Sequence, residues 1–272
     1  MESKTVKINR HGGLVYITFP KLTACGTVRH TFSTRLGGVS SGAFSTMNLS
    51  FRNGDSRENV EKNYEILCGA VGIDTSHLVL SRQTHTNNVR TVTSEDCGTG
   101  YTKPSFEDVD GLITGESNVA LVTQYADCTP LIFCDPKNHV AATSHAGWRG
   151  TALAIGEVTV EKMVKEFGCK RENIIAAIGP CIGSCCYEVD TPVYEAFSKL
   201  RISLDGVFKK IDSEHFMLDL KLANRRILEY SGVKPENIDV ADICTCCEHD
   251  VMHSHRATAG KRGNLAAIIE LI

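Results

Sequence analysis

Between Val119 and Gly150 the chain reads VALVTQYADCTPLIFCDPKNHVAATSHAGWRG, and this stretch limits the available folds more than any other. Two short apolar runs, Val119 to Thr123 and Leu131 to Cys134, flank a polar elbow carrying Asp127, Cys128 and Pro130; a third, His139 to Ser144, leads into His145. Short apolar runs bounded by turn residues are strand signals. Asp135, Pro136, Lys137 and Asn138 have the composition of a hairpin turn. An antiparallel pair joined there brings the residue before its first strand close to the residue after its second, so Cys128 and His145 are expected to meet. A thiol beside an imidazole is either a nucleophile with its base or half of a metal site.

Elsewhere, strands are expected at Leu14 to Phe19, Val28 to Phe32, Leu78 to Gln83, Asn88 to Thr93, Asn173 to Ile178 and Ile238 to Ile243. Helices are expected from about Arg57 to Val71, ended by Gly72, from Ala152 to Phe167 with Thr151 as cap and Gly168 beyond, from Pro192, and from Leu220 to Tyr230. A hairpin-like region fills the stretch up to Asp219. The length of 272 residues, without a Pro/Ser/Gly-rich linker or charge block, favours a single domain over residues 1–272. Net charge is −3, from 29 basic and 32 acidic residues with no basic tract, which argues against nucleic-acid binding and for a small-molecule partner. No apolar run suits a membrane helix and the start lacks a signal-peptide core, so the expected location is cytoplasmic. A reducing compartment makes free thiols, some of them metal ligands, the default for the twelve cysteines.

Several stretches offer chemistry. The loop STRLGGVSSGAFSTMNLS, Ser33 to Ser50, is too long for a simple turn and is expected to be shaped around a ligand. Gly37, Gly38 and Gly42 would allow close backbone approach, Arg35 supplies a planar fork for phosphate or carboxylate, and Asn48 is both donor and acceptor. His85 falls in a turn, where spacing alone does not set it apart from a solvated histidine. Asp108 and Asp110, on one side of an extended chain, could hold a cation, orient a histidine or cap the turn. Free amides at the helix start after His145, together with Arg149, would favour an anion beside the Cys128/His145 pair. Cys181, Cys185 and Cys186 follow one strand and Cys244, Cys246 and Cys247 another. Six thiols at two strand ends could build an iron–sulfur or structural zinc site, yet neither group is read as a clean CxxC pair, and buried inert thiols are expected. The HxH spacing of His253 and His255 would place both rings on one strand face.

The pieces STRLGGVSSG with MNLS, QTH, DVDGLIT, ADCTP, HAGWRG, IGPCIG with CYEV, and the CT and SHR of the tail together resemble one family. This is the YfiH-type family, known both as laccase-domain or multicopper polyphenol oxidases and as purine nucleoside phosphorylases. The tail departs from the family pattern, with Met252 and His253 where an aromatic pair is usual. The resemblance implies an α/β (α+β) layered sandwich of mixed sheets with flanking helices, similar to the catalytic domain of the cytotoxic necrotizing factor deamidases. It also implies a metal held by His85, Cys128 and His145. Two imidazoles and a thiolate suit zinc, with copper as the alternative, and three protein ligands leave a fourth position for water, phosphate or substrate.

The activity implied is phosphorolysis of adenosine, inosine, guanosine and S-methyl-5′-thioadenosine, with adenosine deamination at the same site. The partners are then purine nucleosides and phosphate, and the chain a monomer or homodimer. Arg35 and Arg149 would position the anion, Asn48 or Tyr187 would contact sugar or base, and Asp127 would carry the proton. Two competing readings remain. Cys128 could be a nucleophile with His145 as base, acting on amide or ester bonds such as those of peptidoglycan precursors, or the thiols could serve a metal-binding redox sensor. A copper polyphenol oxidase fits less well, because a blue multicopper enzyme needs many HxH pairs and this chain has ten histidines and one such pair.

Overall fold

Two six-stranded mixed sheets stack face to face in the computed structural model, which describes residues 1–272. The first runs from edge to edge as Lys7–His11, Leu14–Thr18, Val28–Ser33, Leu265–Leu271, Ala120–Tyr125 and Leu78–Leu80. The second runs as Ile238–Val240, Ile175–Ile178, Thr129–Asp135, Val140–Ala146, Gly111–Thr114 and Val89–Thr91. A small third sheet, Glu188–Asp190, His215–Leu218 and Phe208–Lys210, packs at one side with the helix Thr191–Phe197.

The period-two geometry of strands explains the layers. Phe32, Leu121 and Ile269 from the first sheet meet Leu112, Ile132, Ala141 and Ala177 from the second in the central core. Their neighbours Val122, Ala266 and Ile268 face the other way, against Val60, Tyr64 and Leu67 of the helix Arg57–Val71. On the far side, Ile113, Leu131, Phe133 and Ala142 pack against Val160 and Met163 of the helix Ile155–Phe167 and Leu228 of the helix Leu220–Tyr230. Burial on both faces is why these strands read as continuous apolar runs rather than alternating ones. The result is the expected layered α/β sandwich. No helix is long and apolar enough to cross a membrane.

The central hairpin forms as the turn residues predict. Thr129–Asp135 pairs antiparallel with Val140–Ala146, with Pro130 opposite His145. The helix Arg57–Val71 has the expected bounds because Ser56 accepts the Asn59 N–H at its start and Gly72, at φ 74°, turns the chain out of it.

Two expectations need correction. The helix after His145 is broken into Trp148–Ala152 and Ile155–Phe167 by Ala154 in the left-handed region, so Thr151 lies inside a short helix instead of capping a long one. His253 and His255 do not share a strand face: His253 is buried and His255 is exposed, both in an irregular segment. The strand Leu265–Leu271, central to the first sheet, has no counterpart among the expected strands.

Candidate metal centre and pocket

The turn carrying His85 links two strands that belong to different sheets, Leu78–Leu80 and Val89–Thr91, and so crosses the end of the sandwich. There it meets the hairpin. Donor atoms of His85, Cys128 and His145 lie within 4.8 Å of one another. Cys128 Sγ is 3.9 Å from His85 Nε2, and the two imidazole centroids are 4.9 Å apart. His85 and Asp127 hold φ of 68° and 83°, conformations that side chains seldom adopt and that cost energy; here they aim functional groups into the pocket. Gly147 is required by space, since a Cβ there would stand 2.9 Å from both Cys128 Sγ and His85 Cδ2.

Asp110 organises the centre. Its Oδ1 accepts the His85 N–H at 3.0 Å and pairs with His145 Nδ1 at 2.8 Å. Its Oδ2 accepts the N–H groups of Thr84 and Thr86 at 3.0 and 2.9 Å and the Thr86 hydroxyl at 3.0 Å. One fully buried carboxylate thus fixes both the His85 turn and the His145 ring, turning Nε2 toward the cavity. Of the uses open to Asp108 and Asp110, the orienting of a histidine falls to Asp110, while Asp108 is exposed and bonds to Thr84 and Asn88.

Electrostatics follow this geometry. Burial raises the Asp110 pKa, but the His145 contact and the backbone donors outweigh it and hold the carboxyl at about 2. Burial likewise opposes ionisation of Cys128, yet His145 and His85 draw its thiol down to about 6. His145, against the penalty of burial, is raised to about 9 by Cys128 and Asp110. A thiolate and two imidazoles whose free atoms converge form a donor set suited to a tetrahedral metal with one position left over.

That position faces a cavity of about 550 Å³. Asp127, Arg149 and Tyr187 line it as expected. Arg35 and Asn48 do not. Arg35 donates through Nε to Ser45 O and through Nη1 to His249 O, both at 2.8 Å, and so ties its own loop to the segment around His249. Gly37 and Gly38 approach protein backbone rather than a ligand, since a Cβ on them would stand 2.2 Å from Leu14 Cα and Thr46 O respectively, whereas Gly42 has nothing close to it. Asn48 is fully buried and acts through others: its Oδ1 accepts from Asn53 Nδ2 and the Asn264 N–H, and both of those asparagines reach the cavity. The cations lining the cavity with Arg149 are Arg52, Arg256 and Arg262. Arg52 sits in the turn before the helix Arg57–Val71, and Arg256 and Arg262 share the irregular segment before Leu265–Leu271; only SHR and the Gly-flanked Arg262 of KRGN give any sequence hint of them. Asp127 accepts from Thr245 Oγ1 and from the Arg256 N–H, each at 2.6 Å. The expected anion site at a helix start reduces to Arg149, because the helix following His145 spans only Trp148–Ala152.

Residues 29–272 match the family model described as multi-copper polyphenol oxidoreductase laccase. The chain is 37% identical over 240 residues to the purine nucleoside phosphorylase YlmD of Bacillus subtilis, covering 88% of this chain and 86% of that protein. It is 34% identical over 229 residues to the adenosine deaminase RL5 from an unknown prokaryotic organism, covering 83% and 87%. Among solved structures, the hypothetical protein YfiH of Bacillus licheniformis superposes with a TM-score of 0.92 at 31% identity over 97% of this chain and 99% of that one. Sequence and architecture agree along almost the whole length, and the chain belongs to the YfiH-type, laccase-like family.

Proposed function

We propose that the protein is a zinc-dependent purine nucleoside enzyme. It would cleave adenosine, inosine, guanosine and S-methyl-5′-thioadenosine with phosphate, releasing free base and (methylthio)ribose 1-phosphate, and would deaminate adenosine in the same pocket. The observation that carries this reading is the convergence of His85, Cys128 and His145 on a nucleoside-sized cavity lined by four arginines. Relatives named purine nucleoside phosphorylase and adenosine deaminase support it.

His85, Cys128 and His145 would hold the metal, which supplies Lewis-acid polarisation of an oxygen and a lowered pKa for water. Arg149, Arg256 and Arg262 bind and orient phosphate, placing an oxygen toward the ribose C1′ as positive charge grows on the sugar. Tyr187 offers its ring to the nucleoside, with the Arg256 guanidinium carbon 5.4 Å from the ring centroid. In deamination Asp127 accepts and returns a proton at a carboxylate oxygen, its orientation fixed by Thr245 and Arg256.

Metal-quantified protein incubated with a nucleoside panel, with and without phosphate, tests this by chromatography of the free base. Phosphate-dependent release of hypoxanthine from inosine is expected, with release and one zinc equivalent both lost in Cys128→Ala. Undiminished turnover by the metal-free chain would sink the proposal. The thiolate-favouring contact between Cys128 and His145 also supports a second reading, a Cys/His hydrolase of amide or ester bonds. Covalent labelling of Cys128 in metal-free protein by an electrophilic substrate analogue would select it.

A further inference from the structure

The two cysteine groups, far apart in sequence, meet in the fold. Ile175–Ile178 and Ile238–Val240 run parallel as neighbours, and their backbone pairing continues past both strand ends: Cys181 and Cys244 form an isolated parallel β-bridge, and the Thr245 N–H donates to Cys181 O at 3.0 Å. The loops that follow therefore face each other. Sulfur atoms of Cys185, Cys186, Cys244 and Cys247 lie within 4.8 Å of one another, with Cys247 Sγ 3.4 Å from both Cys185 Sγ and Cys186 Sγ. Four sulfurs at ~2.3 Å around one tetrahedral ion stand about 3.8 Å apart. A four-iron cluster binds each thiolate to a different iron and spreads the sulfurs farther, so the spacing suits a single ion.

Local detail agrees. Cys244 and Cys247 have the CxxC spacing of zinc sites, a pattern that the intervening Cys246 hides in the sequence. The Gly183 N–H donates to Cys244 Sγ at 3.1 Å, the kind of backbone contact that supports a ligating thiolate. Gly183 is pressed so closely against this group that a Cβ there would stand 3.2 Å from both Cys185 Sγ and Cys244 Cβ. Cys181 takes no part; it is buried and its thiol donates to Ile182 O. Against the expectation of burial, Cys185 and Cys247 are exposed, and the sulfurs of all four converge.

We propose that Cys185, Cys186, Cys244 and Cys247 bind one zinc ion that clamps the Gly183–Tyr187 loop to the Cys244–Cys247 loop. Both loops serve the pocket wall. Tyr187 lines the cavity from one, Thr245 holds the Asp127 carboxylate from the other, and Arg256 Nη1 donates to Cys186 O at 3.3 Å.

The test counts metal with zinc alone as probe. After reduction and chelator stripping, the full chain with His85, Cys128 and His145 all changed to Ala should still take up one zinc equivalent. Peptide mapping should show Cys185, Cys186, Cys244 and Cys247 protected from alkylation, and Co²⁺ in place of zinc should give intense thiolate-to-metal charge-transfer absorption. The wild-type chain carries the same readout if that variant does not fold: it should bind two equivalents, losing one in the Cys185→Ser, Cys247→Ser double variant and none in Cys246→Ser. Zinc binding without protection of these four thiols overturns the proposal. So does the absence of a second equivalent in the wild type, a disulfide between any two of the four in reduced protein, or stoichiometric iron with acid-labile sulfide.

Discussion

Asp110 shows how much of the pocket hangs on one side chain. It touches no cavity directly, yet its two oxygens fix the His85 turn and the His145 tautomer. Replacing such a partner of a metal-binding histidine lowers metal affinity roughly 10- to 100-fold. Asp110→Asn is therefore expected to weaken zinc at the His85/Cys128/His145 centre by that factor while leaving the four-cysteine zinc unchanged. Competition with a chromophoric chelator reads the two sites separately, and equal affinity in variant and wild type would refute the role. The same carboxylate illustrates what a sequence conceals. DVDG marks Asp110 as a candidate, but only the register Gly111 opposite Ser144 brings it under His145.

At the scale of elements, local signals carried the most where caps were explicit. The helix Leu220–Tyr230 begins where the Asp219 side chain accepts the Leu222 N–H, a pattern readable without any tertiary contact. The break at Ala154 was not readable, because alanine is a strong helix former and nothing in ALAIGEV announces a left-handed residue. An L-residue held there costs about 1 kcal/mol or more, which glycine avoids. Ala154→Gly should accordingly raise stability by about 1 kcal/mol, seen as a higher urea midpoint at unchanged slope; a lower midpoint would show that the alanine methyl contributes packing worth more than the strain. The strand Leu265–Leu271 escaped for the opposite reason. Glu270 interrupts an apolar run too short to separate strand from buried helix, and only in the fold does it pair with Arg29 at 3.3 Å and His77 at 2.7 Å.

For the whole molecule, the stacked sheets bury histidines that must stay neutral. His30 lies in the core of the first sheet, its Nε2 accepting the Phe19 N–H at 2.9 Å, and burial lowers its pKa to about 4. His253, standing where the family usually has an aromatic residue, is likewise lowered to about 3 by burial and by the nearby Arg35 and Arg262. In the unfolded chain both would titrate near 6.5. Between these values the unfolded state binds more protons than the folded state, so stability falls as pH drops from about 6.5 toward 4. His30 alone accounts for about 3 kcal/mol across that window. Urea unfolding at pH 7 and pH 4.5 should show the loss, and His30→Gln should flatten it; an unchanged pH slope would contradict the assignment.

The sequence by itself determined many of the strands and helices and one half of the centre, while the layering came from the family resemblance. Apolar runs too continuous for exposed strands, explicit caps, and a turn at Asp135–Asn138 are local signals, and a hairpin of that length leaves Cys128 and His145 nowhere else to go. Tertiary structure decided what converges from a distance. Asp110, the arginines at positions 52, 256 and 262, the turning of Arg35 and Asn48 onto protein partners instead of the cavity, and the meeting of the two cysteine groups all depend on how the ends of separate strands line up across two sheets. Hydrophobic periodicity fixes which face of a strand is buried, whereas register and strand order fix which loops share an end of the sandwich, and those are set by contacts between residues far apart in the chain.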